Sequence, residues 1–121
     1  KLARFLEQHG KIRKVFYPGL ESFSYYEVAK RNLRGYGGMI SFEMKDGVTV
    51  ARKLMKSLKI CSSAPSLGGI ESLITLPIDT THGSLTPAER KKMGIPEGLV
   101  RFSVGIEDPE DLIEDFQRAL A

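Results

Sequence analysis

Residues 98–120 read GLVRFSVGIEDPEDLIEDFQRAL, and two different periods meet inside that stretch. From Leu99 to Ile106 the residues alternate, with Val100, Phe102, Val104 and Ile106 on one face and Arg101 and Ser103 on the other. Period two of this kind predicts a strand that buries its apolar face. Asp108-Pro109-Glu110-Asp111 then starts a helix, with a carboxylate at the cap, proline at the first helical position and acids in the first turn, where they answer the helix dipole. Leu112, Ile113, Phe116 and Leu120 follow at the three- and four-residue spacing of one helical face.

The same alternation of strand and helix runs back through the chain. Leu2, Phe5, Leu6 and His9 predict a helix that stops near Gly10, and Ile12 to Phe16 a short strand halted by Tyr17-Pro18-Gly19. Phe23, Tyr26, Ala29 and Leu33 predict a helix over Ser22 to Leu33, ended by Gly35, Gly37 and Gly38. Ile40, Phe42 and Met44 alternate with Ser41, Glu43 and Lys45 in a half-buried strand closed by the Asp46-Gly47 turn signal. Ala51, Leu54, Met55 and Leu58 form the best helical stripe, with Arg52, Lys53, Lys56 and Lys59 on its other side. Ile60 to Ala64 and Glu71 to Leu76 read as two strands around the loop Pro65-Ser66-Leu67-Gly68-Gly69, whose glycines permit positive φ or close approach of a ligand. Thr86-Pro87-Ala88-Glu89 is a capping box, opening a short helix that ends by Gly94. No repeat, low-complexity stretch or long linker interrupts the pattern. The expected architecture is one α/β (α+β) layer, helices packed against a mainly antiparallel sheet.

A chain of 121 residues, 41% of them hydrophobic, suffices for one domain with its own core. No apolar run approaches the ~20 residues of a membrane span, and the opening KLARFLEQHGKIRK lacks the apolar centre of a signal peptide. The single cysteine, Cys61, makes an internal disulfide or a multi-cysteine zinc site impossible and points to a reducing compartment, the cytoplasm. Because the sequence begins at Lys1 inside an amphipathic helix, the chain is expected to be a fragment. The net charge of +3 hides a division: residues 1–60 carry +8 and residues 61–121 carry −5. A basic half can serve nucleic acid. Here, though, Lys11, Arg13, Lys14, Lys30, Arg31, Arg34, Arg52, Lys53, Lys56 and Lys59 fall at spacings that suit the wet faces of several elements.

Arg101 is the first candidate for chemistry. Its neighbours Val100 and Phe102 face the core, so its guanidinium lies on the opposite face, as a solvated residue or as an anion clamp able to grip a carboxylate bidentately. Ser66 is the second, a short hydroxyl beside two glycines, in an ordinary turn or at a ligand. Nothing in the glycine spacing matches a phosphate-binding loop, nor is there a nucleophile elbow. His82 lacks a metal-binding pattern and reads as structural, and Cys61 as a small core residue. The acids Glu107, Asp108, Glu110, Asp111, Glu114 and Asp115 lie at a helix start, where helix electrostatics accounts for most of them. No catalytic, cofactor-binding or metal-binding residue is expected within the chain.

The string APSLGGIESLITL from Ala64 to Leu76, Pro77, the Thr81-His82 pair and GLVRFSVGIEDPEDLIEDFQRAL together resemble the C-terminal domain of the trans-sulfuration enzymes. These pyridoxal-phosphate enzymes of Cys/Met metabolism include cystathionine gamma-synthase, cystathionine gamma-lyase and methionine gamma-lyase. Tyr17-Pro18-Gly19-Leu20 and Gly37-Gly38-Met39-Ile40-Ser41-Phe42 extend the resemblance over nearly the whole chain, in the family's order. The resemblance implies a fold-type I enzyme in which residues 1–121 form the small domain that closes the substrate pocket, while an upstream domain holds pyridoxal 5'-phosphate on a lysine. It implies γ-replacement or β/γ-elimination on sulfur amino acids or activated homoserine, in a homotetramer. It also implies that Arg101 clamps the substrate α-carboxylate and that Ser66 lines the pocket. No lysine here sits in the family's Schiff-base motif, so the chain alone is expected to be inactive. Pro65 stands where many gamma-lyases have glutamate, which counts against a cystathionine gamma-lyase. The competing expectations are a basic nucleic-acid-binding module and a non-catalytic interaction module.

Overall fold

The computed structural model describes residues 1–121. Leu2–Gln8 forms α1 and Ile12–Phe16 forms β1; Met39–Met44 forms β2. Along β2 the expected alternation holds residue by residue, with Ile40, Phe42 and Met44 buried. Gly47–Ser57 forms α3, and the Asp46-Gly47 turn is also its start, since Gly47 takes a left-handed φ of 75°. The α3 stripe buries Ala51 and Leu54, with Leu58 just beyond, while Arg52, Lys53, Lys56 and Lys59 remain exposed. Leu99–Ser103 forms β5 and Pro109–Leu120 forms α5, capped by the Asp108 carboxylate, which accepts from the Glu110 amide at 2.8 Å.

With Ser62–Ser63 as β3 and Leu73–Thr75 as β4, the five strands lie in the order β1-β2-β5-β4-β3. Every neighbouring pair is antiparallel except β3 and β4. Helices α1, α3 and α5 pack on one face of this sheet and on one another. Between them lies the core, centred on Phe42, Phe102 and Phe116: the Phe116 ring meets the other two edge-on, at 6.0 and 5.1 Å between centroids. Edge-to-face geometry of this kind adds to the area term. The α/β layer and the mainly antiparallel sheet are as expected.

Four elements differ from expectation. The helix expected over Ser22–Leu33 is confined to Tyr26–Asn32, α2, because residues 20–26 close two successive four-residue turns, with Phe23 N–H donating to the Leu20 carbonyl and Tyr26 N–H to that of Phe23. Only Ala29 of α2 is buried, so no apolar face extends the helix upstream. Strand β5 ends at Ser103, and Ile106, expected on the core face, is 80% exposed. Gly105 is the cause: its backbone lies so close to the Ile70 carbonyl and to Glu71 that a Cβ there would clash, and the chain turns away to give the Ile106 amide to Ile70 at 2.9 Å. The strands expected over Ile60–Ala64 and Glu71–Leu76 shrink to two and three residues. Side chains hold their ends instead: the Lys59 and Ile60 amides donate to the Asp115 carboxylate, and the Ser72 amide to Glu107. The acidic run is therefore more than helix electrostatics, since two of its members fasten distant backbone.

Helix α4, Pro87–Lys92, has the expected capping box: the Thr86 hydroxyl accepts from the Glu89 amide and the Glu89 carboxylate accepts from the Thr86 amide.

Candidate functional site

The face of the sheet turned away from the core carries one continuous row of side chains. Phe16 of β1 pairs with Ser41 of β2, Ser41 with Arg101 of β5, and Arg101 with Thr75 of β4. Residues paired directly across strands share a face, so Arg101 lies centrally on this one, half-buried. The polar face is no open solvent face. Ser103 and Thr75 on it are each 2% exposed, Ser103 against the loop of residues 64–72 that folds back across the sheet and Thr75 against Thr80.

That loop meets Arg101 directly. The guanidinium Nη2 donates to the Pro65 carbonyl and, at 3.2 Å, to the Ser66 carbonyl. The structure thus brings together the two candidates picked out from the sequence, through the backbone of Ser66. Arg101 Nε and Nη1 make no hydrogen bond or ion pair in the chain, and the same is true of the Ser66 hydroxyl and amide. With Nη2 spent on carbonyls, the guanidinium keeps its charge and the N–H donors of Nε and Nη1, on separate edges of its plane, for an anion.

Further bonds fix the loop. Gly68 N–H donates to Ser103 Oγ at 2.9 Å, with Gly68 in the left-handed region at φ 77°. Glu107 accepts from the Ser72 amide at 2.8 Å and from the Ser72 hydroxyl at 2.7 Å, and Ser72 Oγ accepts from Gly105 N–H at 2.9 Å. Burial alone would push the Glu107 carboxyl up, but the two Ser72 donors outweigh it and hold the group below its usual range. The Thr75 hydroxyl meets that of Thr80 at 3.0 Å, which donates to the Leu76 carbonyl, and so braces the turn leading to Thr81-His82. Ser72, Thr75, Ser103 and Glu107 escaped the sequence reading. Only Glu107, within the acidic run, and Ser103, on the polar face beside Arg101, left a trace, because the partner of each is set by which strands and loops become neighbours.

The remaining candidates stay out of the site. His82 is half-buried in its loop, its Nδ1 at 2.7 Å from the Thr81 hydroxyl. Cys61 packs against the core, and burial pushes its thiol up to about 11, with the Asp115 charge adding to the effect, so it is a poor nucleophile. A cavity of about 620 Å³ opens beyond Ser41, between β1–β2 and α4, lined by Lys14, Phe16, Glu43, Lys91 and Glu97 among others. Neither Arg101 nor Ser66 lines it; the guanidinium and the exposed Ser66 loop form a rim of their own, joined through the Ser66 carbonyl.

The profile of the Cys/Met metabolism PLP-dependent enzymes matches residues 1–121. An L-methionine gamma-lyase of Fusobacterium nucleatum subsp. polymorphum is 47% identical over 120 residues, covering 99% of this chain and 30% of that protein. A cystathionine gamma-lyase of Dictyostelium discoideum is 46% identical over 119 residues, 98% of this chain and 31% of its own length. A cystathionine beta-lyase of Coxiella burnetii is 45% identical over 120 residues, 99% of this chain and 31% of its own length. The chain therefore spans about a third of the length of these relatives. Enzymes of this family depend on pyridoxal phosphate, and no lysine of this chain fits its Schiff base: every one is exposed, whereas a Schiff-base lysine works from a desolvated pocket. With the family's profile matched over residues 1–121 and relatives 45–47% identical over nearly all of it, the chain belongs to the family of Cys/Met metabolism PLP-dependent enzymes.

Proposed function

We propose that residues 1–121 form the C-terminal domain that closes the substrate pocket of an enzyme acting on sulfur amino acids, by β/γ-elimination or γ-replacement. One observation carries this reading: Arg101 spends Nη2 on the carbonyls of Pro65 and Ser66 and keeps Nε and Nη1 free beside the unpaired hydroxyl of Ser66. A substrate α-carboxylate accepts from the free N–H donors of the guanidinium, which sets the azimuth of the bonds at Cα. Ser66 lines the same rim and limits where the carboxylate sits. Pyridoxal phosphate, held by the part of the protein outside residues 1–121, supplies the electron sink for the bonds broken at the substrate. The names of the relatives make methionine and cystathionine the first substrates to try. The same reading puts the protein in the cytoplasm as a homotetramer. No helix is long and apolar enough to cross a membrane. The nucleic-acid reading has less support, since the bases are dispersed over several elements and Arg13 and Arg52 are engaged with Glu43 and Asp79.

The test is steady-state kinetics of the full-length protein with Arg101→Ala and Arg101→Lys. Losing a charge-assisted contact to a partly desolvated carboxylate lowers kcat/KM by about thirty-fold or more. Lysine recovers little, because an ammonium brings charge without the planar fork. Near-native kcat/KM in both variants, with cofactor occupancy unchanged, would make Arg101 a mere loop latch and overturn the assignment.

A further inference from the structure

We propose that Ser103 is a positioning residue for this carboxylate site: it fixes the apex of the Ser66 loop, and through it the place of Ser66 above the guanidinium. The inference rests on the reading of Arg101 just given. Arg101 and Ser103 stand two residues apart on β5, so both face the loop, roughly 7 Å from each other. Arg101 takes the carbonyls of Pro65 and Ser66, and Ser103 takes the amide of Gly68. One strand therefore grips the arc from Pro65 to Gly68 at both ends, at the carbonyls of Pro65 and Ser66 and at the amide of Gly68, with Leu67 between.

The arc has little else to hold it. Pro65, Ser66, Leu67 and Gly68 are all exposed, and the Leu67 side chain, 56% exposed, brings no apolar anchor. Hydrogen bonds decide its place. The base of the loop is fastened independently, by Ala64 N–H to Ile74, by Ile106 N–H to Ile70 and by Glu107 to Ser72. Removing the Ser103 hydroxyl thus releases the apex while the base and the sheet stay paired. The grip is also well referenced, because β5 has β2 on one side and β4 on the other, with Ser103 opposite both Met39 and Leu73. A hydroxyl on a strand flanked on both sides has little freedom to drift, and at 2% exposure it is shielded from competing water.

The experiment compares the full-length protein with Ser103→Ala, Ser103→Thr, Arg101→Ala and the Ser103→Ala/Arg101→Ala pair, using L-methionine and L-cystathionine as substrates. The readouts are kcat, KM and thermal melting. The expected result is a KM raised about five- to ten-fold by Ser103→Ala with kcat changed less than about three-fold, and recovery of most of the effect by threonine, which keeps the hydroxyl. In the Arg101→Ala background the Ser103→Ala effect shrinks to less than about two-fold, since both act on one carboxylate contact. An unchanged KM in Ser103→Ala overturns the proposal. An undiminished effect in the Arg101→Ala background also overturns it, as does a Ser103→Ala protein that does not fold, because Ser103 is then structural. If Arg101→Ala itself keeps native kinetics, or neither substrate is turned over by the wild type, it is the functional reading that fails.

Discussion

Asp115 shows how much a single side chain does that its neighbours in sequence do not announce. It lies 7% exposed on α5, where the helical pattern wants an apolar or solvent-facing residue, and its carboxylate accepts from the Lys59 and Ile60 amides at 2.8 and 2.9 Å. The Arg118 guanidinium pairs with its other oxygen. Burial alone would push this carboxyl up, yet the two amides and Arg118 together hold it below its ordinary value of 3.8. A depressed folded-state value means stability that is complete above the ordinary carboxylate range and is lost as pH falls through the folded value. Asp115→Ala leaves two amides without their acceptor and should cost about 3 kcal/mol at neutral pH. The check is the denaturation midpoint of wild type and variant at neutral pH and at about pH 3: the gap between them should narrow on acidification. A gap independent of pH would mean that the charge of Asp115 contributes nothing.

Among the elements, α4 depends most visibly on its ends. With six residues it is too short to persist on propensity, and its capping box satisfies amides that would otherwise lack partners. Thr86→Ala should cost about 1 kcal/mol and Thr86→Asp little, because aspartate also caps. Hydrogen exchange at the Arg90 and Met93 amides, which donate to Thr86 and Glu89, reads this directly. Faster exchange in alanine and near-native exchange in aspartate is the expected pair of results, and equal exchange in both would show that packing alone holds the helix. This element was legible in the sequence because a capping box is local: its partners lie three residues apart. The loop over Arg101 was only half legible. Two glycines marked it as a loop, but nothing within it says that its apex bonds to a serine 35 residues further on.

On the scale of the whole molecule, one core ties the sheet to α5. Phe102 is fully buried, with Phe116 edge-on at 5.1 Å, and belongs to the strand that also carries Arg101 and Ser103. Phe102→Ala should lower stability by about 3–5 kcal/mol, through lost burial and the cavity left behind. Thermal or urea unfolding of the variant measures this, and a loss below about 1 kcal/mol would show that the core collapses around the gap. The same variant should also weaken the site, because Phe102 anchors β5 to the core at the position between Arg101 and Ser103. Core and rim are the two sides of one strand.

Period and capping, read along the chain, determined that strands and helices alternate, which face of β2, β5, α3 and α5 is buried, and that Arg101 points away from the core. These follow from residues a few positions apart, whose geometry is set by the backbone itself. The tertiary structure alone decided that β3 runs parallel to β4, that β5 ends at Ser103, and that the polar face of β5 is roofed by the Ser66 loop. Pairing and roofing join residues tens of positions apart, so they are chosen by competition among all the donors and apolar surfaces of the chain at once, and no local period records the winner.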